Sequence, residues 1–132
     1  MINNAEKKGA VFSSSYDSRV TPFGKFMRKS RIDEFPQFVN ILRGEMAVIG
    51  PRPERPFFVK EIAEIMPFYE TRHIIKPGLT GWAQVNYSYG ESIEDSLIKL
   101  QYDLYYIKHR SIFLDLNITI KTLSTVLFYR GQ

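Results

Sequence analysis

Cysteine is absent from this sequence of 132 residues, and histidine occurs only twice, as His73 and His109. The absence of cysteine excludes disulfide bonds, thiolate zinc sites and cysteine nucleophiles. Two histidines also supply too few ligands for a multi-histidine metal centre. No run of residues approaches the roughly 18–20 apolar residues that a membrane-spanning helix requires, and the polar first residues do not have the pattern of a signal peptide.

The composition is that of a folded protein with an uneven charge. Hydrophobic residues make up 44% of the sequence and charged residues 24%, which excludes a wholly disordered chain, and the length suits one compact domain. Residues 1–32 contain seven lysines and arginines but only two acidic residues. This basic region suits phosphate groups, an acidic lipid surface or nucleic acid as a partner, with a solvated basic arm as the alternative.

Residues 23–42 are predicted to be helical, with a break near Asp33. Apolar residues recur at spacings of three and four on both sides of the break, and Gly44 is the expected end of the second helix. Pro36 belongs in the first turn of that helix, where backbone N–H groups have no helical partner. This places Asp33 near the N-cap and Glu34 in the first turn, at the positive end of the helix dipole.

The remaining elements are expected to be short strands and helices joined by loops. We predict a strand over 46–49, a helix over 57–65 with Phe58, Ile62 and Ile65 on one face, a type II turn at Pro77-Gly78 and a strand over 81–86. A second helix begins at Ser92, which forms a capping-box pattern with Asp95, and its expected buried face comprises Ile93, Leu97, Leu100, Leu104 and Ile107. The final element is a nearly all-apolar helix over 112–128. That last helix requires cover from protein or lipid. Residues 1–18 are expected to be a flexible or truncated leading segment. The predicted fold class is α+β, an α-rich single domain with short strands and extended loops.

The adjacent carboxylates of Asp33 and Glu34 are the first candidates for chemistry. Arginines at positions 28 and 31 and the helix dipole would keep these groups ionised, as a carboxylate nucleophile requires. A carboxylate here could also bind Mg²⁺, which usually takes one or two carboxylates and completes its shell with water and substrate phosphates. The alternative is simple capping of the helix.

Two further segments contain candidate binding groups. Arg52 lies between Pro51 and Pro53, so its guanidinium is offered from a stiff loop that suits phosphate binding, although a surface arginine in a structural turn is equally consistent. Residues 76–86 combine a turn, two glycines, a tryptophan and side-chain amides that could bind a nucleobase or sugar. A tryptophan is more often part of a core.

These segments, taken together and in order, resemble the bacterial sugar transferase family, the polyprenyl-phosphate phosphoglycosyl transferases. The resemblance rests on RKSRIDEFPQ (28–37), NILRGEM (40–46), IGPRP (49–53), KPGLTGWAQVN (76–86), QYDLYYIK (101–108) and LDL (114–116), and it covers about residues 21–131. The string NYSYG (86–90) is most similar to members that serve exopolysaccharide assembly. The family's membrane-embedded helix and glycine-bearing loop, which precede the matching region, are absent from this sequence. We therefore expect residues 19–132 to correspond to the carboxy-terminal part of the catalytic domain.

The resemblance implies a reaction and roles for individual residues. Members transfer a sugar-1-phosphate from a UDP-sugar to undecaprenyl phosphate, release UMP and use Mg²⁺, in the first membrane step of exopolysaccharide or O-antigen-type glycan synthesis. Asp33 would form a phosphosugar–aspartyl intermediate, Glu34 would hold Mg²⁺, and Arg28 and Arg52 would bind phosphate. Candidate nucleotide- or sugar-binding residues are Lys76, Gly78, Thr80, Trp82, Gln84 and Asn86.

The resemblance also implies a location at the cytoplasmic face of the bacterial inner membrane, with the membrane surface as a partner and no nucleic acid. Two other functions are consistent with the residues alone. One is a non-catalytic basic binding module, and the other is a peripheral membrane adaptor that uses the apolar last helix. The sequence contains no nucleic-acid-binding motif that would favour a nucleic-acid module.

Overall fold

Six α-helices and two short strands form the described part of the chain, which comprises residues 20–29, 32–87 and 92–127 of the computed structural model. The α-helices are α1 (Pro22–Lys29), α2 (Phe35–Leu42), α3 (Pro56–Ile65), α4 (Trp82–Asn86), α5 (Ile93–His109) and α6 (Ile112–Leu127). The strands are β1 (Ala47–Ile49) and β2 (Gly78–Thr80), and two 3₁₀ helices span Ile32–Glu34 and Tyr69–Ile74. The predicted α-rich α+β fold is confirmed. The leading segment over residues 1–18 lies outside the described residues.

The break between the first two helices lies where it was predicted, but the helix start differs by one residue. Pro36 is in the first turn of α2, as expected. The N-cap is Glu34, whose side chain makes no capping hydrogen bond. The prediction that Glu34 lies inside the first turn was therefore wrong. The 3₁₀ helix runs straight into α2, so Glu34 has helical dihedral angles (φ −84°, ψ −10°) instead of the extended ones of a usual N-cap.

Gly44 ends the second helix as predicted. Its φ angle is +74°, a left-handed conformation that favours glycine because other residues have a Cβ atom that clashes there. Its N–H donates to the carbonyl of Ile41, and the next two N–H groups both donate to the carbonyl of Asn40. These bonds close the carboxyl end of α2 and direct the chain into β1.

The two strands pair in parallel, with Ala47 opposite Gly78 and Ile49 opposite Thr80. The prediction of a strand over 81–86 was wrong, because Trp82–Asn86 form α4, Gly81 is its N-cap, and the strand precedes them. The prediction of a type II turn at Pro77-Gly78 was also wrong. Such a turn requires a positive φ at Gly78, and Gly44 is the only glycine with positive φ among the described residues. The carbonyl of Pro77 accepts from the N–H of Ala47, so pairing with β1 fixes this segment in an extended form.

The main apolar core lies between α3, the second 3₁₀ helix and α5. Its buried members are Phe58, Ile62, Tyr69 and Leu100. Ile65, predicted for the same face of α3, is exposed. The chain leaves helical geometry at Met66, and the side chain of Met66 packs against the core instead.

The buried face of α5 also differs from the prediction. Leu100 is buried, but Ile93 and Leu97 are more than 40% exposed, and Asp103 and Tyr106 are buried instead. Polar partners explain the difference. Asp103 faces an arginine of the second 3₁₀ helix. The hydroxyl of Tyr106 donates a 2.7 Å hydrogen bond to Asp115 of α6, and burial together with this bond raises the pKa of Tyr106 to about 12.

The helix from Ser92 begins with the predicted capping box. The N–H of Asp95 donates to the Ser92 hydroxyl oxygen, and the Asp95 carboxylate accepts from the N–H of Ser92. The hydroxyl of Tyr87 also donates to this carboxylate. These hydrogen bonds lower the pKa of Asp95 to about 2.

The last helix, α6, packs against β2 and α4, and its buried and half-buried residues lie along one side of the helix. Ile118 is fully buried there, whereas Phe113 is 81% exposed and Leu127 is 71% exposed. Among the described residues, no helix combines the length and the hydrophobicity that crossing a membrane requires.

Candidate active site

The Asp33-Glu34 pair lies in the 3₁₀ helix that joins α1 to α2. The backbone of both residues therefore immediately precedes the amino end of α2, where the helix dipole attracts negative charge. The side chains of Arg28 and Asp33 lie outside the described part of the structure. Their predicted roles in phosphate binding and nucleophilic attack stay predictions.

Arg52 follows β1 in a loop whose backbone is held at two consecutive carbonyls. The carbonyl of Pro51 accepts from the N–H of Gly78 at 2.8 Å. The carbonyl of Arg52 accepts from the guanidinium of Arg72, also at 2.8 Å. The Arg52 side chain itself is exposed. The loop thus presents the Arg52 guanidinium to solvent from a fixed backbone.

The first residues of segment 76–86 lie beside β1 and the far end of α2. The Nζ atom of Lys76 is 3.7 Å from the point where a side chain at Gly44 would begin. Lys76 and Glu34 therefore lie at opposite ends of α2, which is about 12 Å long for its eight residues. A Cβ built on Gly78 would lie 2.1 Å from the backbone nitrogen of Gly50, so only glycine allows this close approach.

The polar side chains later in this segment have partners within the chain. Thr80 and Thr122 share a 2.7 Å hydrogen bond between their hydroxyl groups. The side-chain amide of Gln84 donates to the carbonyl of Leu79, and the buried Gln84 Oε1 atom has no hydrogen-bond partner among the described residues. These contacts hold the segment against itself and α6. A role in nucleotide or sugar binding stays a prediction.

The indole of Trp82, the first residue of α4, contacts α5 and α6. The Nζ atom of Lys121 lies 4.8 Å from its ring centroid, and the ring of Tyr105 stacks with it at 6.1 Å. Asn86 accepts a hydrogen bond from Lys121 and donates one to the carbonyl of Trp82. The Trp82 indole therefore contributes to the packing of α4 against α5 and α6.

A buried ion pair links the second 3₁₀ helix to α5, and the sequence analysis did not identify it. Arg72 Nη2 lies 2.8 Å from Asp103 Oδ2, and both side chains are almost fully buried. The other terminal nitrogen of Arg72 donates to the hydroxyl of Tyr69. Burial raises the pKa of Asp103 to about 6, against the opposing effect of the Arg72 charge. The feature of the sequence that could have indicated this ion pair is the position of Asp103, three residues after Leu100 and therefore on the buried face of α5.

The model of the family described as bacterial sugar transferase matches residues 1–129 of the chain. The chain belongs to the bacterial sugar transferase family.

Relatives of this sugar transferase chain have names that state an activity. The chain is 50% identical over 127 residues to the UDP-N-acetylgalactosamine-undecaprenyl-phosphate N-acetylgalactosaminephosphotransferase of Aeromonas hydrophila. This match covers 96% of the chain and 30% of the relative. It is 44% identical over 113 residues to the UDP-glucose:undecaprenyl-phosphate glucose-1-phosphate transferase of Xanthomonas campestris pv. campestris, covering 84% of this chain and 23% of the relative. The enzyme of the same name from Escherichia coli (strain K12) is 40% identical over 108 residues, a match that covers 80% of this chain and 23% of that relative. The chain thus spans between 23% and 30% of the length of these relatives.

The described residues of this sugar transferase chain offer a metal ion few protein ligands in one place. Within the described residues there is no group of three or more histidine, cysteine, aspartate or glutamate side chains that could form a metal cage. Magnesium usually takes only one or two protein carboxylates and shares substrate phosphates. Glu34 is half-buried next to the amino end of α2 and is a carboxylate of the kind that Mg²⁺ takes, and its role as a magnesium ligand stays a prediction.

Proposed function

We propose that this chain contains the catalytic centre of an enzyme that transfers a sugar-1-phosphate from a UDP-sugar to undecaprenyl phosphate. The names of its relatives support this reaction class and include both N-acetylgalactosamine and glucose as the transferred sugar. The observation that carries the proposal is the position of Asp33 and Glu34 just before the amino end of α2. Because the amino end of a helix favours negative charge nearby, this position suits a carboxylate nucleophile at Asp33 and a metal-binding carboxylate at Glu34.

The proposed reaction has two half-reactions at one phosphorus atom. An oxygen of the Asp33 carboxylate attacks the phosphorus that bears the sugar, and the bond to the bridging oxygen of the diphosphate breaks, so that UMP leaves. A phosphate oxygen of undecaprenyl phosphate then attacks the same phosphorus. This second attack breaks the bond to Asp33 and restores the free carboxylate, and the product is a lipid-linked diphosphate sugar.

Charged side chains are proposed to hold the diphosphate during these steps. Glu34 would bind Mg²⁺, which when bound neutralises negative charge on the diphosphate oxygens. Arg52 and Arg28 would donate charge-assisted hydrogen bonds to phosphate oxygens. The fixed backbone of the Arg52 loop supports this role, because an oriented guanidinium loses less entropy when it binds.

Exposed apolar side chains that flank Asp33 and Glu34 in the chain support a lipid acceptor and a place at the membrane surface. Ile32, which precedes Asp33, is 47% exposed, and Phe35 at the start of α2 is 69% exposed. The acceptor phosphate is attached to a polyprenyl chain that stays in the bilayer, so the nucleophile must work next to lipid. The flanking apolar groups would contact the bilayer and bring Asp33 to the acceptor phosphate. The cytoplasmic face is part of this proposal, because the UDP-sugar donor is cytoplasmic.

A covalent-adduct experiment tests the proposed function. The protein expressed from its natural gene is incubated with UDP-glucose or UDP-N-acetylgalactosamine and Mg²⁺, without a lipid acceptor. We expect a burst of UMP that does not exceed one equivalent of protein, and a phosphosugar on Asp33 in the mass spectrum of a digest. Asp33→Asn should abolish both signals, while Glu45→Gln, at the other end of α2, should preserve them.

An adduct on another residue, or turnover by the Asp33→Asn variant, would contradict the mechanism. Absence of UMP with both donors would favour a non-catalytic binding module.

A further inference from the structure

Arg72 is a buried arginine that contacts three different parts of the fold through its guanidinium. It binds the hydroxyl of Tyr69 next to it, the carboxylate of Asp103 in α5 and the backbone carbonyl of Arg52. Tyr69 is itself a member of the apolar core. Arg72 thus connects the core to a backbone position twenty residues earlier in the chain.

The loop that receives this bond already has little freedom. Pro51 and Pro53 have fixed φ angles, and Arg52 is restricted to extended conformations because it precedes a proline. The N–H of Gly78 holds the carbonyl of Pro51. The bond from Arg72 fixes the next carbonyl, and with it the peptide plane that determines the direction in which the Arg52 side chain leaves the backbone. The side chain itself is exposed.

We propose that Arg72, held by Asp103, is a positioning residue that fixes the backbone of Arg52 so that its guanidinium meets the substrate diphosphate. This inference rests on the proposed phosphate role of Arg52. Asp103 supplies the opposite charge that keeps the guanidinium of Arg72 in the protein interior, where an unpaired cation would be costly. Because the pair is buried among core residues, the position of the Arg52 backbone is tied to the packing of α5.

The geometry distinguishes this role from a purely structural ion pair. An ion pair that only joined the 3₁₀ helix to α5 would need no hydrogen bond to the Arg52 loop. Here one nitrogen, Nη2, is close to both the Asp103 carboxylate and the Arg52 carbonyl. Only a planar guanidinium presents several donors in a fixed fork, so a lysine ammonium could replace the charge without reproducing the arrangement.

Two kinds of variant separate positioning from stability. Arg72→Lys keeps the charge opposite Asp103 and removes the fork. If that variant does not fold, the double variant Arg72→Met/Asp103→Leu removes both buried charges, a replacement that proteins often tolerate. Tyr106→Phe is the matched control, because it removes one partly buried hydrogen bond between α5 and α6 and does not touch the loop.

Hydrogen exchange of the Gly78 amide gives a readout that does not depend on activity. This amide donates to the Pro51 carbonyl and therefore reports on the loop. We expect the Arg72 variants to exchange this amide about 10-fold faster than the unmodified protein, and Tyr106→Phe to leave the rate within about twofold. Unchanged exchange in the Arg72 variants would overturn the positioning role while leaving the proposed function intact.

A double-mutant cycle with Arg52→Ala gives the second readout, namely kcat/KM for the UDP-sugar. We expect Arg72→Lys to lower kcat/KM about 10-fold when Arg52 is present, and less than about twofold in the Arg52→Ala background. Equal losses in both backgrounds would overturn the positioning role alone. If Arg52→Ala itself leaves kcat/KM unchanged, the phosphate role of Arg52 fails and the positioning inference fails with it.

Discussion

Lys121 in α6 donates a 2.7 Å hydrogen bond to the side-chain oxygen of Asn86, the last residue of α4. The same ammonium group lies 4.8 Å from the ring centroid of Trp82, the first residue of α4. One cation therefore contacts both ends of this short helix and joins it to α6. The contact combines a charge-assisted hydrogen bond with a cation–π interaction.

Replacing Lys121 should loosen the junction between α4 and α6. Lys121→Met keeps most of the aliphatic side chain and removes the charge, so we expect the free energy of unfolding to fall by about 1–2 kcal/mol. Urea unfolding measures this change, and the emission of Trp82, the only tryptophan, should shift because its neighbouring charge is lost. Lys60→Met, on the exposed side of α3, is the control and should leave both measurements unchanged. Equal stability of the two variants would contradict the structural role of Lys121.

Arg52→Ala should impair catalysis and leave the fold intact. Loss of a charge-assisted contact to phosphate costs about 1.5–3 kcal/mol, which corresponds to a decrease in kcat/KM for the UDP-sugar of roughly 10- to 100-fold. The Arg52 side chain is exposed, and its backbone contacts do not depend on it, so the melting temperature should stay within about 2 °C. Arg43→Ala, an exposed arginine at the end of α2, should retain full activity. A large drop in melting temperature for Arg52→Ala would instead favour a structural turn.

Glu34→Gln should change how the reaction depends on magnesium. An amide oxygen is a weaker ligand for a hard cation than a carboxylate, so the Mg²⁺ concentration for half-maximal UMP release should rise by roughly 10-fold or more. The measurement is a magnesium titration of the UMP burst, with Glu45→Gln as the control of equal charge change. An unaltered titration for Glu34→Gln would remove this residue from the metal site.

Acid should weaken the start of α5 through Asp95. The pKa of this carboxylate is lowered from 3.8 to about 2 in the folded protein by its hydrogen bonds with Tyr87 and Ser92. The unfolded chain therefore binds more protons than the folded chain between these values. The stabilisation is fully present above about pH 4 and is lost as the pH falls towards 2. Unfolding measured from pH 5 to pH 2 should show a steeper loss for the unmodified protein than for Asp95→Asn. Glu94→Gln, the neighbouring exposed carboxylate, should follow the unmodified curve.

Features that depend on a few consecutive residues were predictable from the sequence. The break before α2 follows from Pro36, the end of α2 follows from Gly44, and the start of α5 follows from the capping box of Ser92 and Asp95. In each case the deciding interaction lies within one turn of the chain. Local rules for proline, positive φ and capping therefore suffice to locate these helix ends to within one residue.

The candidate site was predictable only as a set of motifs. The string around Asp33 and the Arg52 loop lie in the places that the sequence indicated, one before α2 and the other after β1. Segment 76–86 was misread as a turn followed by a strand, because its extended part is set by pairing with β1, whose partner residues lie 31 positions earlier in the chain. Its side chains proved to have partners on α6 and within the segment.

The sequence by itself determined the family, the ends of α2 and the start of α5 to within one residue, and the residues available for chemistry, because these depend on short strings and on local dihedral preferences. Tertiary structure decided which residues are buried together. The burial of Asp103 depends on Arg72, and the fixed backbone of Arg52 depends on the same guanidinium. Such partners are distant in the chain, and no local pattern specifies them. A buried charge becomes stable only when its partner meets it in the folded protein.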